Sequence, residues 1–176
     1  MSRIRHLISL SRDTELEIPI LLACFGPMRA GEICGLSMDS IEGNVVHVWR
    51  TMYYADAGYG IKDMPKNYSS NRYIQYPDFV TDRIREKGRI TSYNLRTLDT
   101  HFSAFLKKNG LPHFRFHDLR HWCVSTLHAQ GMPDAYIMQR GGWSSDHTLK
   151  EVYRHTLQDQ SERLTAQAIS HFNSFV

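Results

Sequence analysis

Apolar and polar positions run along this chain with two periods, and the change of period marks out its elements. From Thr14 to Phe25 the apolar residues fall at helical spacing, with Asp13 or Thr14 placed to cap the first turn. Gly26-Pro27 breaks that helix, and Arg29 to Leu36 reads as a short second one. β-Branched and aromatic residues then crowd Val45 to Tyr54, which predicts a strand, and Gly58 and Gly60 punctuate the chain beyond it. Tyr73 to Tyr76 predicts another strand after the polar run Asn67-Tyr68-Ser69-Ser70-Asn71. A small three-stranded antiparallel sheet between about residues 43 and 77 is the economical reading. Helical periodicity resumes from Pro77 to Lys87, from Leu95 to Lys108 and from His117 to Gln130, with Asn109-Gly110 and Gly131 as stops. Pro133 opens a further helix at its first turn. A last helix is expected from about Gln160 to Phe172, with Leu164, Ala168 and Phe172 as an apolar stripe. The fold class is α+β and mostly helical.

Size and composition narrow the class. The 176 residues and 20.5 kDa fit one domain that buries roughly 70% of its unfolded surface, so no disulfide or metal staple is needed. Apolar residues make up 41% and charged residues 22%, which excludes a disordered chain. The longest apolar run, Ile18 to Phe25, is too short to span a bilayer, and Arg3 and Arg5 are not followed by a signal-peptide core. The expected location is therefore cytoplasmic. Cys24, Cys34 and Cys123 form no C-x-x-C pair and read as reduced, small core residues.

The net charge of +3 hides an uneven distribution. Residues 61–122 carry 12 basic and 6 acidic groups, whereas residues 1–60 carry 5 and 7. A basic middle third suits a polyanion-binding face. A solvated helix face holding Arg83, Arg85, Lys87 and Arg89 would give much the same count.

Four places along the chain carry residue types with chemistry to offer. In His117-Asp118-Leu119-Arg120-His121, His117 and Arg120 stand at i and i+3 on one helix face, where imidazole and guanidinium can meet a phosphate. The plain alternative is a packed helix start. A metal reading is also open, because His113, His117 and His121 are spaced by four, although Pro112 keeps His113 off the helix. Arg29 begins a helix after Gly26-Pro27, where a helix N-terminus already favours anions; an ion pair with Glu32 is the alternative. Lys66 lies at the mouth of the expected hairpin, either reaching over a ligand or merely solvated. Trp143, in Gly141-Gly142-Trp143, and Tyr153, in Val152-Tyr153-Arg154-His155, offer an indole N–H and a phenol nucleophile. Each of these is, alone, an ordinary core aromatic.

In combination the order Arg29, Lys66, His117, Arg120, Trp143, Tyr153 resembles the active-site set of the tyrosine recombinases, the phage-integrase family, over about residues 13–157. Ser70, Arg72 and Ile74 after Pro65-Lys66 look like that family's lysine-bearing hairpin, and Thr148 and Tyr153-Arg154-His155 follow its C-terminal pattern. There are departures. Pro27 stands where the family usually has a glycine, and Gly141-Gly142-Trp143 replaces its leucine-glycine-histidine.

The resemblance implies a tyrosine-recombinase catalytic domain with the DNA breaking–rejoining fold. Residues 1–176 would form one such domain, 158–176 being a C-terminal helix or tail, without N-terminal core-binding and arm-binding domains. It implies site-specific recombination through a 3′-phosphotyrosine, with no cofactor, metal or ATP. Tyr153 would be the nucleophile, Arg29 and Arg120 the clamps on the non-bridging oxygens, and Trp143 a third donor. Lys66 would be the general acid and His117 the proton acceptor, with Glu32 orienting Arg29 and His121 and His155 in supporting or packing roles. The implied partner is double-stranded attachment-site DNA in the nucleoid, bound by a homotetramer that is monomeric without DNA, with the C-terminal helix either joining neighbouring protomers or packing on its own core. Competing expectations are a type IB topoisomerase, a non-catalytic DNA-binding integrase remnant, and a histidine-metal hydrolase.

Overall fold

The computed structural model describes residues 3–64, 69–145 and the short pieces 165–166, 169–170 and 172–173. Its helical layer begins earlier than the hydropathy pattern indicates. Helix α1 (Arg3–Ser11) buries only Ile4, Leu7 and Ser11, too sparse a stripe to announce itself in a sequence otherwise polar there. The expected helix from Thr14 starts instead at Glu17, as α2 (Glu17–Phe25). The reason is local: Asp13 takes a left-handed φ of 63°, and the Thr14 hydroxyl donates to the Ser11 carbonyl. Those groups turn the chain off α1, while the Glu17 carboxylate accepts the Asp13 N–H at 2.8 Å. Every residue of α2 but Phe25 is buried, and the helix lies against α1 and three helices further along the chain, above all the one that begins at His117.

Helix α3 (Ala30–Gly35) and a 3₁₀ turn (Met38–Ser40) lead into the strands. The single strand expected over Val45–Tyr54 is two. β2 (Val45–Val48) joins β1 (Ile41–Glu42) and β5 (Arg72–Gln75) in a three-stranded antiparallel sheet ordered β1-β2-β5. Trp49 leaves that ladder, and its carbonyl accepts the Met64 N–H at 2.7 Å. β3 (Arg50–Ala55) then pairs with β4 (Gly58–Asp63) as a separate hairpin in which Thr51 faces Lys62 and Tyr53 faces Gly60. The punctuating glycines thus belong to a strand. A Cβ on Gly60 would lie 3.1 Å from the Tyr53 ring, so the missing side chain makes room for the cross-strand aromatic.

Helices α4 (Asp78–Lys87), α5 (Leu95–Lys108), α6 (His117–Ala129) and α7 (Asp134–Gly141) follow the expected boundaries closely. Asn94 caps α5 through a bond from Thr97 N–H at 2.9 Å. Leu98, Phe102 and Leu106 form its buried stripe, and Phe102 meets Phe114 and Phe116 edge-on at 5.4 and 5.3 Å. A smaller cluster, Val124 and Ile137 with Leu127, Met138 and Trp143, packs α7 on α6 and seats the turn after α7. Of the helix expected over 160–172, the described residues 165–166, 169–170 and 172 are helical, and the others lie outside the described residues. Among the described residues no helix is long and apolar enough to cross a membrane.

Candidate active site

The break after α2 places the first arginine. Gly26 has no room for a side chain, since a Cβ would fall 1.7 Å from the Tyr76 hydroxyl, which donates to the Leu22 carbonyl at 3.0 Å. Pro27 follows Gly26 directly. Its carbonyl accepts a hydrogen bond from Arg120 Nη1, a bond that needs no N–H from residue 27. Arg29 is the N-cap of α3 in extended backbone (φ −78°, ψ 151°). Glu32, at the third helical position, accepts both the Arg29 N–H and Arg29 Nη1 at 2.8 Å.

Glu32 is the centre of the site. It is 2% exposed, and Arg72 grips its carboxylate with Nη1 at 3.1 Å and Nη2 at 2.9 Å. Arg120 Nη1 stands 3.9 Å away. Burial would raise the Glu32 pKa, but the charge and hydrogen bonds of Arg72, then the charges of Arg29 and Arg120, outweigh it and hold the carboxyl below its ordinary range. The carboxylate stays ionised at neutral pH and fixes three guanidinium groups around one point.

The sequence places Arg72 only in the lysine hairpin, and its position at the centre of the site is a finding of the structure. A signal is nonetheless present: Arg72, Ile74 and Tyr76 alternate with exposed Tyr73 and Gln75, which puts an arginine on the buried face of β5. A charge in such a place needs partners. Arg72 finds them in Glu32, in the Arg140 carbonyl (Nε, 2.7 Å) and in the Ser70 carbonyl (Nη1, 2.9 Å). It therefore ties α3, the end of α7 and the chain entering β5 together.

Arg120 projects from α6 and is 1% exposed. Its Nη2 donates to the Gly141 carbonyl at 2.9 Å, and its guanidinium lies 3.9 Å over the Trp143 ring. Burial, with Arg29 and Arg72 nearby, lowers its pKa against the pull of Glu32, although a guanidinium remains charged at neutral pH. Trp143 also accounts for Gly141. A Cβ there would sit 1.9 Å from Trp143 Cζ3, so the large ring occupies the space that a leucine would fill. Gly141 and Trp143 are therefore matched in volume. Gly142 caps α7 with φ 71°, a conformation suited to glycine.

His117 opens α6 one turn before Arg120, its ring exposed and edge-on to His121 at 4.7 Å. Desolvation by the flanking protein is the largest influence on it, followed by His121, Arg120 and Arg115, and together they push its imidazole down to about 4. His117 is thus neutral at pH 7 and able to accept a proton. Burial likewise lowers His121. Among the described residues no three His, Cys, Asp or Glu side chains converge as metal ligands would.

The structure therefore brings Arg29, Glu32, Arg120 and Trp143 together, with His117 alongside. Lys66, Thr148, Tyr153, Arg154 and His155 lie outside the described residues. A cavity of about 420 Å³ opens between α3 and the β3–β4 hairpin, lined by Arg29, Glu32, Thr51, Lys62, Asp63, Met64 and Ser70. The basic middle third is less available than its count suggests. Arg83 pairs with Asp13, Glu17 and Glu86, Lys87 with Asp13 and Glu17, Arg85 with Asp82, and Arg89 with Glu15.

The frame that carries these groups, mostly helical α+β with small antiparallel sheets, is that of tyrosine-recombinase catalytic domains. The chain belongs to the phage integrase family, whose profile matches residues 2–160. The integrase of Salmonella phage P22 is 45% identical over 47 residues, which cover 27% of this chain and 12% of that protein. The Tn1549 transposon integrase, solved with transposon right-end DNA, superposes with a TM-score of 0.75 at 18% identity, over 95% of this chain and 65% of that one. A lambda integrase tetramer bound to a Holliday junction superposes at 0.59 and 15% identity, over 86% of this chain and 47% of that one. The chain thus spans under two thirds of the length of these relatives.

Proposed function

We propose that this domain carries out site-specific DNA strand exchange by transesterification, as part of phage or mobile-element integration and excision. The observation that carries the reading is the cluster of Arg29, Arg72 and Arg120 around Glu32, with Trp143 stacked on Arg120. Fixed cations already assembled before substrate arrives stabilise charge that develops on a phosphate with no cost of reorganisation. The way Pro27 and Gly141 are accommodated argues against a decayed, merely DNA-binding remnant.

In this reading the Tyr153 hydroxyl oxygen attacks the scissile phosphorus, the P–O5′ bond breaks, and a 3′-phosphotyrosine and a 5′-hydroxyl result. His117, neutral at pH 7, accepts the phenol proton, and Lys66 gives a proton to the leaving 5′-oxygen. Arg29, whose side chain is 38% exposed, meets a non-bridging oxygen directly. Arg120, 1% exposed and bonded to the Pro27 and Gly141 carbonyls, backs the clamp with its charge, the Trp143 indole N–H is a further donor, and Glu32 orients the arginines. A second 5′-hydroxyl reverses the step on a new strand, so the bond energy is conserved and neither ATP nor metal enters the balance. The working assembly is a homotetramer on attachment-site duplexes, a reading supported by the lambda integrase tetramer solved on a Holliday junction; it acts in the cytoplasm at the nucleoid.

The test is covalent trapping. The protein is incubated in EDTA with nicked duplexes carrying the junctions of its element, and denatured products are separated by mass. A protein–DNA adduct that persists in denaturant and is lost in Tyr153→Phe supports the reading. Absence of any adduct from the wild-type protein on DNA that it binds would refute it.

A further inference from the structure

The hairpin beside Arg29 carries a cation that the strand-exchange chemistry above does not use. Lys62 on β4 lines the same cavity as Arg29, and the β3–β4 register sets it directly opposite Thr51. Thr51 rests on α3: a Cβ on Gly31 would lie 2.8 Å from both the Thr51 hydroxyl and the Met52 carbonyl. The hairpin is therefore seated on the first turn of the helix that begins at Arg29, and the two cations face one opening.

Several features leave Lys62 free to take an anion there. Its Nζ stands 5.1 Å over the Tyr53 ring, which lies against Gly60 and is fixed by that contact. A cation–π contact is weak and leaves the ammonium donors available. Among the described residues no carboxylate lies within ion-pair reach of Lys62. The adjacent Asp63 is engaged by Arg50, 3.6 Å away, and Glu32 is occupied by Arg29 and Arg72. Arg50 is shared between Asp63 and Asp39, and Glu32 is held by Arg29 and Arg72, so among the described residues Lys62 is the cation lining the cavity with no ion-pair partner. The cavity, about 420 Å³, is far larger than one phosphate requires.

We propose that Lys62, backed by Thr51 and Tyr53, forms a second phosphodiester subsite that holds a phosphate next to the scissile one on the same DNA strand. The proposal deepens the strand-exchange reading and rests on it for the identity of the scissile phosphate. The geometry makes the hairpin a clamp that sets the register of the backbone relative to Arg29, a contact of position and not of sequence.

The test separates binding from chemistry. Lys62→Gln, an exposed substitution that leaves the melting temperature unchanged, is compared with wild type on nicked junction duplexes across a salt series. Loss of one phosphate contact lowers the salt slope by about 0.9, which at 0.1 M salt is about eightfold in affinity. Single methylphosphonates are then walked through the phosphates flanking the cleavage point. At one of them the wild-type protein loses that same factor and Lys62→Gln loses nothing further. An unchanged salt slope, or a Lys62→Gln defect equal at every methylphosphonate, overturns the subsite. A coupled phosphate without any covalent adduct would uphold the subsite and sink strand exchange; an adduct with no coupled phosphate would do the reverse.

Discussion

Replacing Arg72 by methionine removes the strongest grip on Glu32 and probes the centre of the site. The substitution is close in volume and leaves a carboxylate that is 2% exposed, hydrogen-bonded by the Arg29 side chain and N–H, with Arg120 3.9 Å away. Breaking a buried ion pair by deleting one partner costs about 3–5 kcal/mol, and the retained Arg29 bonds place this case near 3. The Arg140 and Ser70 carbonyls lose their donor at about 1 kcal/mol each, partly offset by apolar burial of the methionine. The total is about 3–4 kcal/mol, which for a domain of this size lowers Tm by about 6–16 °C. Thermal unfolding followed by circular dichroism at pH 7 measures it. Adding Glu32→Gln removes the stranded charge, so the double variant is expected to lose less than the two single losses together. A Tm for Arg72→Met within 2 °C of wild type would show that Glu32 does not depend on this pair, and the reasoning would fail.

Other outcomes rest on the same contacts. Glu32 has a folded pKa below its unfolded value of about 4.5, so the stability it contributes is complete above that pH and is lost as pH falls through the folded pKa; acid titration of unfolding should be shallower in Glu32→Gln. His117 titrates in the folded state near 4, so it withdraws stability as pH falls below about 6.5 and has no effect above it. Two-dimensional NMR should find its imidazole neutral at pH 6, and a titration midpoint near 6.5 would contradict the described environment. Gly141→Leu forces a side chain into the Trp143 ring and should cost about 1–3 kcal/mol in chemical denaturation. The paired change Gly141→Leu with Trp143→His should restore part of that loss, because the smaller ring vacates the space.

How much the sequence makes legible depends on how local each signal is. Helices α5, α6 and α7 are readable because their periodicity, the Asn94 cap, the glycine stops and Pro133 all lie within the element or beside it. Helix α1 is not, since two buried apolar residues with Ser11 in nine are a stripe only once α2 is there to receive them. The split of the expected strand at Trp49 is invisible for the same reason: β-propensity runs unbroken through it, and only pairing partners decide that Val48 belongs to one sheet and Arg50 to another. The site shows the same division. Arg29, Glu32, Arg120 and Trp143 can be named from their motifs, and they do converge. Arg72 and Lys62 cannot be placed, because one acts through carbonyls 68 and 2 residues away and the other through a hairpin register. The volume match between Gly141 and Trp143 likewise needs coordinates, since a sequence shows two residues and not their common volume.

Whether this arginine-centred site serves a tyrosine nucleophile is decided by mapping the covalent bond itself. The protein is reacted with a nicked junction duplex, digested with nuclease and protease, and its peptides are examined by tandem mass spectrometry. A nucleotide remnant esterified to the Tyr153 phenol oxygen is expected with wild type and is expected to be absent from Tyr153→Phe. A remnant on a serine, histidine or another tyrosine, or cleavage of the duplex with no covalent remnant at all, would contradict the Tyr153 assignment.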